Sequence, residues 1–400
     1  MVLPIALASS LGVATAMADV VTDWNVTAND ISAGLPPPPA NRTLAMVQTA
    51  VYEAVNAITK RYPADRVTPN AAPDASVAAA VAAANRAMLS RLVPSQQAAI
   101  DKSYGAALAA IADGPAKTAG IAVGEQAAAA VLAWRADDNV GAPERYRPAT
   151  TAGVYVPTPI PAVPQWPQRK PWVMTSCDQF RPGPPPALTS ELWARDYNEI
   201  RAIGAKNSTT RTPAQTETAR FWEANGPVIY YPVVRSVANM PGRDVTQNAR
   251  LLALTAEAID DALIAVFDAK YQYNFWRPVT AIRNGDIDGN DGTERDAGWL
   301  PFVDAPMHPE YPCAHCIVSG AVAGVLVAEI GTGPTPTLST TSPTAPGVVH
   351  SWTSIDDFVL EVANGRIYEG VHYRNSAEVG TAMGKKIGAL TAANALRQAN

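Results

Sequence analysis

Apolar residues recur at intervals of three and four along Arg42–Ile58, Val77–Leu92, Gln96–Ile111, Thr118–Arg135, Leu188–Ile203, Thr212–Ala224, Asn248–Arg277, His315–Ile330, Ile355–Tyr368 and Ser376–Arg397. That spacing lays an apolar stripe along one face of a helix, so about ten helices are predicted. No stretch pairs β-branched alternation with a convincing hairpin turn, and the predicted fold class is all-α. Prolines gather between these stretches, in Pro36–Pro39, Pro157–Pro171, Pro182–Pro186 and Pro334–Pro346, where they stiffen connections without breaking helices. Alanine-rich helices with few aromatics predict close packing in a bundle. The pattern divides the chain into an N-terminal helical half (19–150), a proline-rich connection (151–187) and a C-terminal helical half (188–400), with no repeat at a fixed period.

Residues 1–18 are uncharged and apolar and end on Ala16-Met17-Ala18 ahead of Asp19, the pattern of a signal peptide, although the usual positive start is missing. Export, to the periplasm or the outside, is the expectation. The next longest apolar run, Ile317–Ile330, is interrupted by Ser319, Gly320 and Glu329 and is shorter than the ~18–20 residues that span a bilayer, so no membrane span is predicted. With 48% hydrophobic and 17% charged residues, the 400-residue chain can bury a large core. A net charge of −5 argues against a nucleic-acid partner. In an oxidising compartment Cys313 and Cys316 could pair, leaving Cys177 odd; the sequence leaves the pairing open.

Three segments in the last third carry candidate chemistry. In Lys270-Tyr-Gln-Tyr-Asn-Phe-Trp-Arg277-Pro278, seven residues at ~100° each return to nearly the same direction, so both cations are expected on one helix face, ready for an anion. In His308-Pro-Glu-Tyr-Pro-Cys-Ala-His315-Cys316, Pro312 precedes a helix start, so the amides of Cys313, Ala314 and His315 are expected to point into an anion site. In Arg366-Ile-Tyr-Glu-Gly-Val-His372-Tyr-Arg374, Gly370 can end one helix and Asn375 with Glu378 can cap the next, which leaves His372 on the turn. Each segment also has a bland reading: solvated cations, a helix start that binds water, a surface histidine.

The order K-x6-R-P, P-x-x-H, R-x5-H resembles the signature of the superfamily that unites type-2 phosphatidic acid phosphatases, bacterial acid phosphatases and vanadium-dependent haloperoxidases. Asp23-Trp24-Asn25, the Leu44–Ile58 helix with Tyr52-Glu53-Ala54-Val55-Asn56, and Asp178-Gln179-Phe180-Arg181-Pro182 resemble its soluble haloperoxidase branch, and the likeness covers most of 19–395. It implies an all-α helical-bundle haloperoxidase or acid-phosphatase-like fold that holds vanadate or phosphate. By the resemblance, Lys270, Arg277 and Arg366 bind the oxyanion with Cys313 and the amide of Ala314. His372 is the axial vanadium ligand or the phosphoryl acceptor, and His315 is the acid–base residue. Fixed cations and a helix start suit a trigonal-bipyramidal oxyanion and a phosphoryl-transfer transition state alike.

The departures bear on function. Cys313 stands where the family commonly has serine and would be a thiol liability beside hypohalite unless tied to Cys316, and Gly365 replaces a serine before Arg366. Ser376 stands where many members carry a histidine-orienting aspartate, so Glu378 or a backbone carbonyl would have to substitute. A weakened orienting contact harms a nucleophilic histidine more than a passive ligand. The leading expectation is therefore a haloperoxidase using hydrogen peroxide, a halide (iodide or bromide on chemical difficulty) and a small organic acceptor. A phosphomonoesterase acting on phosphate esters comes second, and a non-catalytic oxyanion binder third. A zinc deaminase pattern across His308, Glu310, Cys313 and Cys316, a simpler zinc site, and a calcium loop at Asp286–Gly292 fit their templates poorly. His308 and His350 are expected to be structural.

Overall fold

The computed structural model describes residues 19–396; the expected signal peptide lies outside them. The helices are α1 (Val20–Ser32), α2 (Pro37–Thr59), α3 (Val77–Leu92), α4 (Gln97–Ala109), α5 (Pro115–Trp134), α6 (Glu191–Ile203), α7 (Pro213–Trp222), α8 (Pro227–Ala238), α9 (Val245–Tyr273), α10 (Pro278–Arg283), α11 (Ala314–Ile330), α12 (Ile355–Tyr368) and α13 (Arg374–Asn394). Ten coincide with the predicted stretches, eight of them with shifted ends. The mostly helical architecture agrees with the all-α expectation, with one exception: β1 (Leu338–Ser342) and β2 (Ala345–Trp352) form an antiparallel hairpin. Its alternation escaped the hydrophobic pattern because polar residues point inward. Thr340 Oγ1 donates to the Ile229 carbonyl at 2.9 Å and Ser342 Oγ to that of Phe221 at 2.7 Å. Helix α8 was unforeseen because Pro227 opens it and Pro232 lies inside it.

Helix α9 runs through the middle of the molecule. Its start is set by a capping box between Asp244 and Gln247, and nearly every residue from Thr246 to Lys270 is buried, as expected of a helix packed on all sides. Helix α2 packs on it from the N-terminal half and α11 from the C-terminal half. One hydrophobic core runs from Val21 to Leu396, so the two expected halves share their interior. The proline-rich connection is strapped along α9 by carboxylates. Asp260 accepts from Arg169 and from Trp172 Nε1, and Asp261 from the amides of Trp172, Val173 and Met174. Asp268 accepts from Arg181 at 2.6 and 2.8 Å, which gives the Asp178–Pro182 motif its anchor.

Helices α11 and α13 lie side by side and parallel. Gly380 faces Cys313, Gly384 faces Ile317 and Ala321, and Gly388 faces Ala321 and Gly324. A Cβ on Gly384 would come 2.0 Å from the Ile317 carbonyl oxygen, and one on Gly320 would come 2.4 Å from that of Thr381. Missing side chains let the backbones touch, and parallel packing sets the positive ends of both helix dipoles at one place.

Candidate functional site

Five expected residues meet at that place, by a different route from the one predicted. Lys270 and Arg277 do not share a helix face. Helix α9 stops at Tyr273, Asn274 turns left-handed (φ 49°), and Arg277 caps the start of α10. The periodicity argument failed because the link 274–276 leaves the helix and bonds to other segments, Phe275 forming an isolated antiparallel bridge with Val154. Tyr155 N donates to the Asn274 carbonyl, Trp276 N to that of Gly153 and Glu310 N to that of Phe275. The bend swings Arg277 back toward the end of α9.

Both cations are fully buried and held by main-chain oxygens. Lys270 Nζ donates to the carbonyls of Pro309 (2.9 Å) and Glu310 (2.8 Å). Arg277 Nε donates to the His308 carbonyl at 2.9 Å and Nη1 to that of Val371 at 2.8 Å. Burial, reinforced by Arg277, pulls the Lys270 pKa well below its ordinary value, and burial lowers that of Arg277 to about 10. Arg366, in the last turn of α12, donates to the Trp222 carbonyl at 3.0 Å and pairs with buried Glu369 at 2.5 Å. Its Nε is buried without a partner among the described residues. Burial raises Glu369 to about 8 although Arg366 pulls the other way.

His372 lies on the turn between α12 and α13, as expected, where Gly370 takes φ 81° with no room for a Cβ against the Gly204 carbonyl. The expected Asn375 and Glu378 cap does not form. Tyr373 caps α13 without a side-chain bond, and the Asn375 amide donates to Asp196. Glu378 is exposed, so it does not orient His372. That contact comes from Glu310, whose Oε1 accepts from His372 Nδ1 at 2.7 Å and from the Tyr373 amide at 3.2 Å. Burial holds His372 well below the usual imidazole range, helped by Arg277 and Lys270, and raises Glu310 to about 7. The imidazole is neutral at pH 7.

The start of α11 is partly committed. The Cys313 amide donates to the Ser376 carbonyl at 3.2 Å, and its sulfur is bonded to Cys316 and accepts from the Cys316 amide at 3.1 Å. Cys313 therefore has no donor left for an oxyanion, contrary to expectation, and neither cysteine offers a thiolate to zinc. Among the described residues the amides of Ala314 and His315 find no acceptor. His315 Nε2 donates to the Ala224 carbonyl at 3.2 Å, and burial, then Arg366, lowers its pKa well below normal. Gly365 has a packing reason: a Cβ there would meet the Trp222 side chain at 3.0 to 3.2 Å.

His308, expected to be structural, touches the site. Its Nδ1 lies 2.9 Å from Arg277 Nη2 and 3.2 Å from the Pro309 carbonyl; a guanidinium is always a donor, so the shorter contact makes Nδ1 an acceptor and the carbonyl only a neighbour. His350 is remote, stacked on Phe221 and bonded to Glu361 at 2.5 Å. In the suspected calcium loop, Asp288 is used up by the Asn290 amide, Thr293 and Trp193 Nε1.

A family model described as the VCPO second helical-bundle domain matches residues 250–400. The vanadium chloroperoxidase of Curvularia inaequalis is 27% identical over 179 residues, which is 37% of this chain and 29% of that protein. Among solved structures, a bacterial vanadium-dependent iodoperoxidase superposes with a TM-score of 0.78 at 25% identity, covering 93% of this chain and 94% of that one. The chain resembles the vanadium haloperoxidases, in sequence over its C-terminal part and in fold over most of its length. The holo form of a bacterial vanadium-dependent chloroperoxidase shares the haloperoxidase fold, with a TM-score of 0.68 at 17% identity over 96% of this chain and 93% of that one. Among the described residues no helix is long and apolar enough to cross a membrane.

Proposed function

We propose that this protein is a vanadium-dependent haloperoxidase, exported to an oxidising compartment, that uses hydrogen peroxide to oxidise iodide or bromide and passes the product to a small organic acceptor. The observation that carries this reading is the meeting of Lys270, Arg277 and Arg366, all buried, around a neutral His372 and two free helix-start amides. A tetrahedral oxyanion suits that donor set, and the unpartnered Nε of Arg366 is a donor the protein itself does not satisfy. Lys270, Arg277, Arg366 and the Ala314 amide would hold orthovanadate by its oxygens, and His372 would be the side chain that binds its metal. Bound vanadate supplies a Lewis-acid centre that activates hydrogen peroxide toward halide.

The chain's own residues do the rest. Main-chain oxygens hold the cations in place before any anion arrives, so little reorganisation accompanies binding. His372 presents its Nε2 lone pair because its proton is kept on Nδ1. His315 holds a proton on Nε2 and has Nδ1 free to accept another, as an acid–base residue beside the oxyanion must. Pairing of Cys313 with Cys316 removes a thiol from contact with oxidised halide and agrees with an exported protein.

Apo-protein reconstituted with orthovanadate is expected to oxidise iodide or bromide only when peroxide is present, and His372→Ala to abolish this. Bound vanadate without such turnover overturns the reading. One observation favours phosphomonoester hydrolysis as a second reading: the Glu310 carboxylate provides the orienting partner that Ser376 does not, and such a partner also suits a nucleophilic histidine. Turnover of an aryl phosphate, inhibited by vanadate and lost in His372→Ala, would put hydrolysis first. Oxyanion binding without either activity would indicate a binding protein.

A further inference from the structure

One short segment sets the inner site. The His308 carbonyl and Nδ1 hold Arg277, the carbonyls of Pro309 and Glu310 hold Lys270, and the Glu310 side chain holds His372. Glu310 and His372 are both completely buried, and their sequence separation of 62 makes the contact a property of the fold. The other face of the imidazole is constrained as well, since Arg277 Nη1 lies 3.3 Å from His372 Nε2. Arginine can only donate, so Nε2 accepts; Glu310 Oε1 already accepts from the Tyr373 amide and accepts from Nδ1 as well, so Nδ1 donates. Both neighbours demand the same tautomer.

We propose that Glu310 is a positioning residue that locks His372 in its Nδ1–H form and aims the Nε2 lone pair into the cradle. The proposal rests on the reading that Nε2 meets the oxyanion, and it names the residue of this chain that makes Nε2 competent. The backbone agrees with the role. Oε1 also accepts from the Tyr373 amide, so the carboxylate fixes the main chain beside the imidazole as well as the ring. Glu310, Tyr373 and Ser376 line one small cavity, and Glu310 Oε2, the Tyr373 hydroxyl and Ser376 Oγ are buried without a hydrogen-bond partner among the described residues. The carboxylate thus commits one oxygen to His372 and Tyr373.

The test uses the apo-protein and two probes, inorganic phosphate and orthovanadate. With four histidines in the chain, the His372 ring nitrogens can be assigned in ¹⁵N-labelled protein. In the wild type, Nδ1 is expected to carry the proton. Glu310→Ala leaves only Arg277 Nη1, at 3.3 Å from Nε2, to favour that form, and is expected to weaken the preference and to bind both anions about 10- to 100-fold more weakly. Glu310→Gln keeps an acceptor oxygen at Nδ1 and is expected to retain the tautomer and rescue most of the affinity, which a simple folding defect would not predict. An unchanged His372 tautomer in folded Glu310→Ala, or anion affinities within about twofold of wild type, overturns the proposal. Neither readout needs turnover. An inactive wild type with intact Glu310 dependence would count against the haloperoxidase reading and leave the positioning role standing.

Discussion

At the scale of single residues, the cradle is made of charges that the protein buries and then holds with its own carbonyls. Arg366 differs in having, besides the Trp222 carbonyl, a buried carboxylate partner in Glu369, and its Nε is unpartnered among the described residues. Arg366→Ala is expected to weaken phosphate binding roughly 10- to 100-fold, the equivalent of one or two charge-assisted hydrogen bonds, by titration calorimetry. It is also expected to lose stability by stranding Glu369, and Arg366→Ala/Glu369→Gln to recover part of that loss without recovering affinity. Unchanged affinity in the single variant would remove Arg366 from the site. The motif residues Lys270, Arg277, Arg366, His315 and His372 were legible in the sequence because their order and spacing carry the family signature. Glu310 was not, because its role depends on a contact across the fold, and its neighbours drew attention to metal-ligand patterns instead. His308 was passed over for the same reason. Cys313 was misjudged because a helix-start amide counts as free only once its tertiary acceptor, here the Ser376 carbonyl, is known.

At the scale of elements, the decisive arrangement is the parallel pair α11 and α13. Its glycine seam determines how far the free amides of Ala314 and His315 stand from the turn that carries His372. Gly384→Ala would force a Cβ against the Ile317 carbonyl and is expected to cost about 1–3 kcal/mol in denaturant unfolding. It is also expected to weaken vanadate binding although Gly384 lies away from the cradle. A destabilised variant with unaltered affinity would show that the seam serves stability alone. Long helices with clean apolar periodicity were legible, and α3 and α12 match their predicted ends. The bend after Tyr273 was not, since the apolar pattern runs on through Phe275 and Trp276 while the backbone there bonds to residues 153–155. The hairpin was hidden by the inward hydroxyls of Thr340 and Ser342.

At the scale of the whole molecule, the shared core contains polar groups far from the cradle. Glu53 on α2 is buried, and burial, with Asp65 adding to it, raises its carboxyl from 4.5 to about 8. A folded pKa above the unfolded one means that the folded state holds the proton more tightly. The stability this contributes is complete below 4.5 and is lost as pH rises through about 8. Glu53→Gln has no proton to lose, so its stability relative to wild type is expected to grow from about pH 5 to about pH 9, reaching a few kcal/mol at most. Thermal melts of the two proteins across that range check it. A difference that stays flat would mean that Glu53 is ionised in the folded protein.

The site joins parts that the chain keeps far apart. Its cations come from the ends of α9 and α12 and the start of α10, its amides from α11, and its histidine from the turn before α13. An anion seated among them adds a further tie across long loops that the hydrogen bonds of Lys270, Arg277 and Glu310 already draw together. It acts as a removable clasp, so loading the oxyanion and completing the fold are one linked equilibrium, and each strengthens the other.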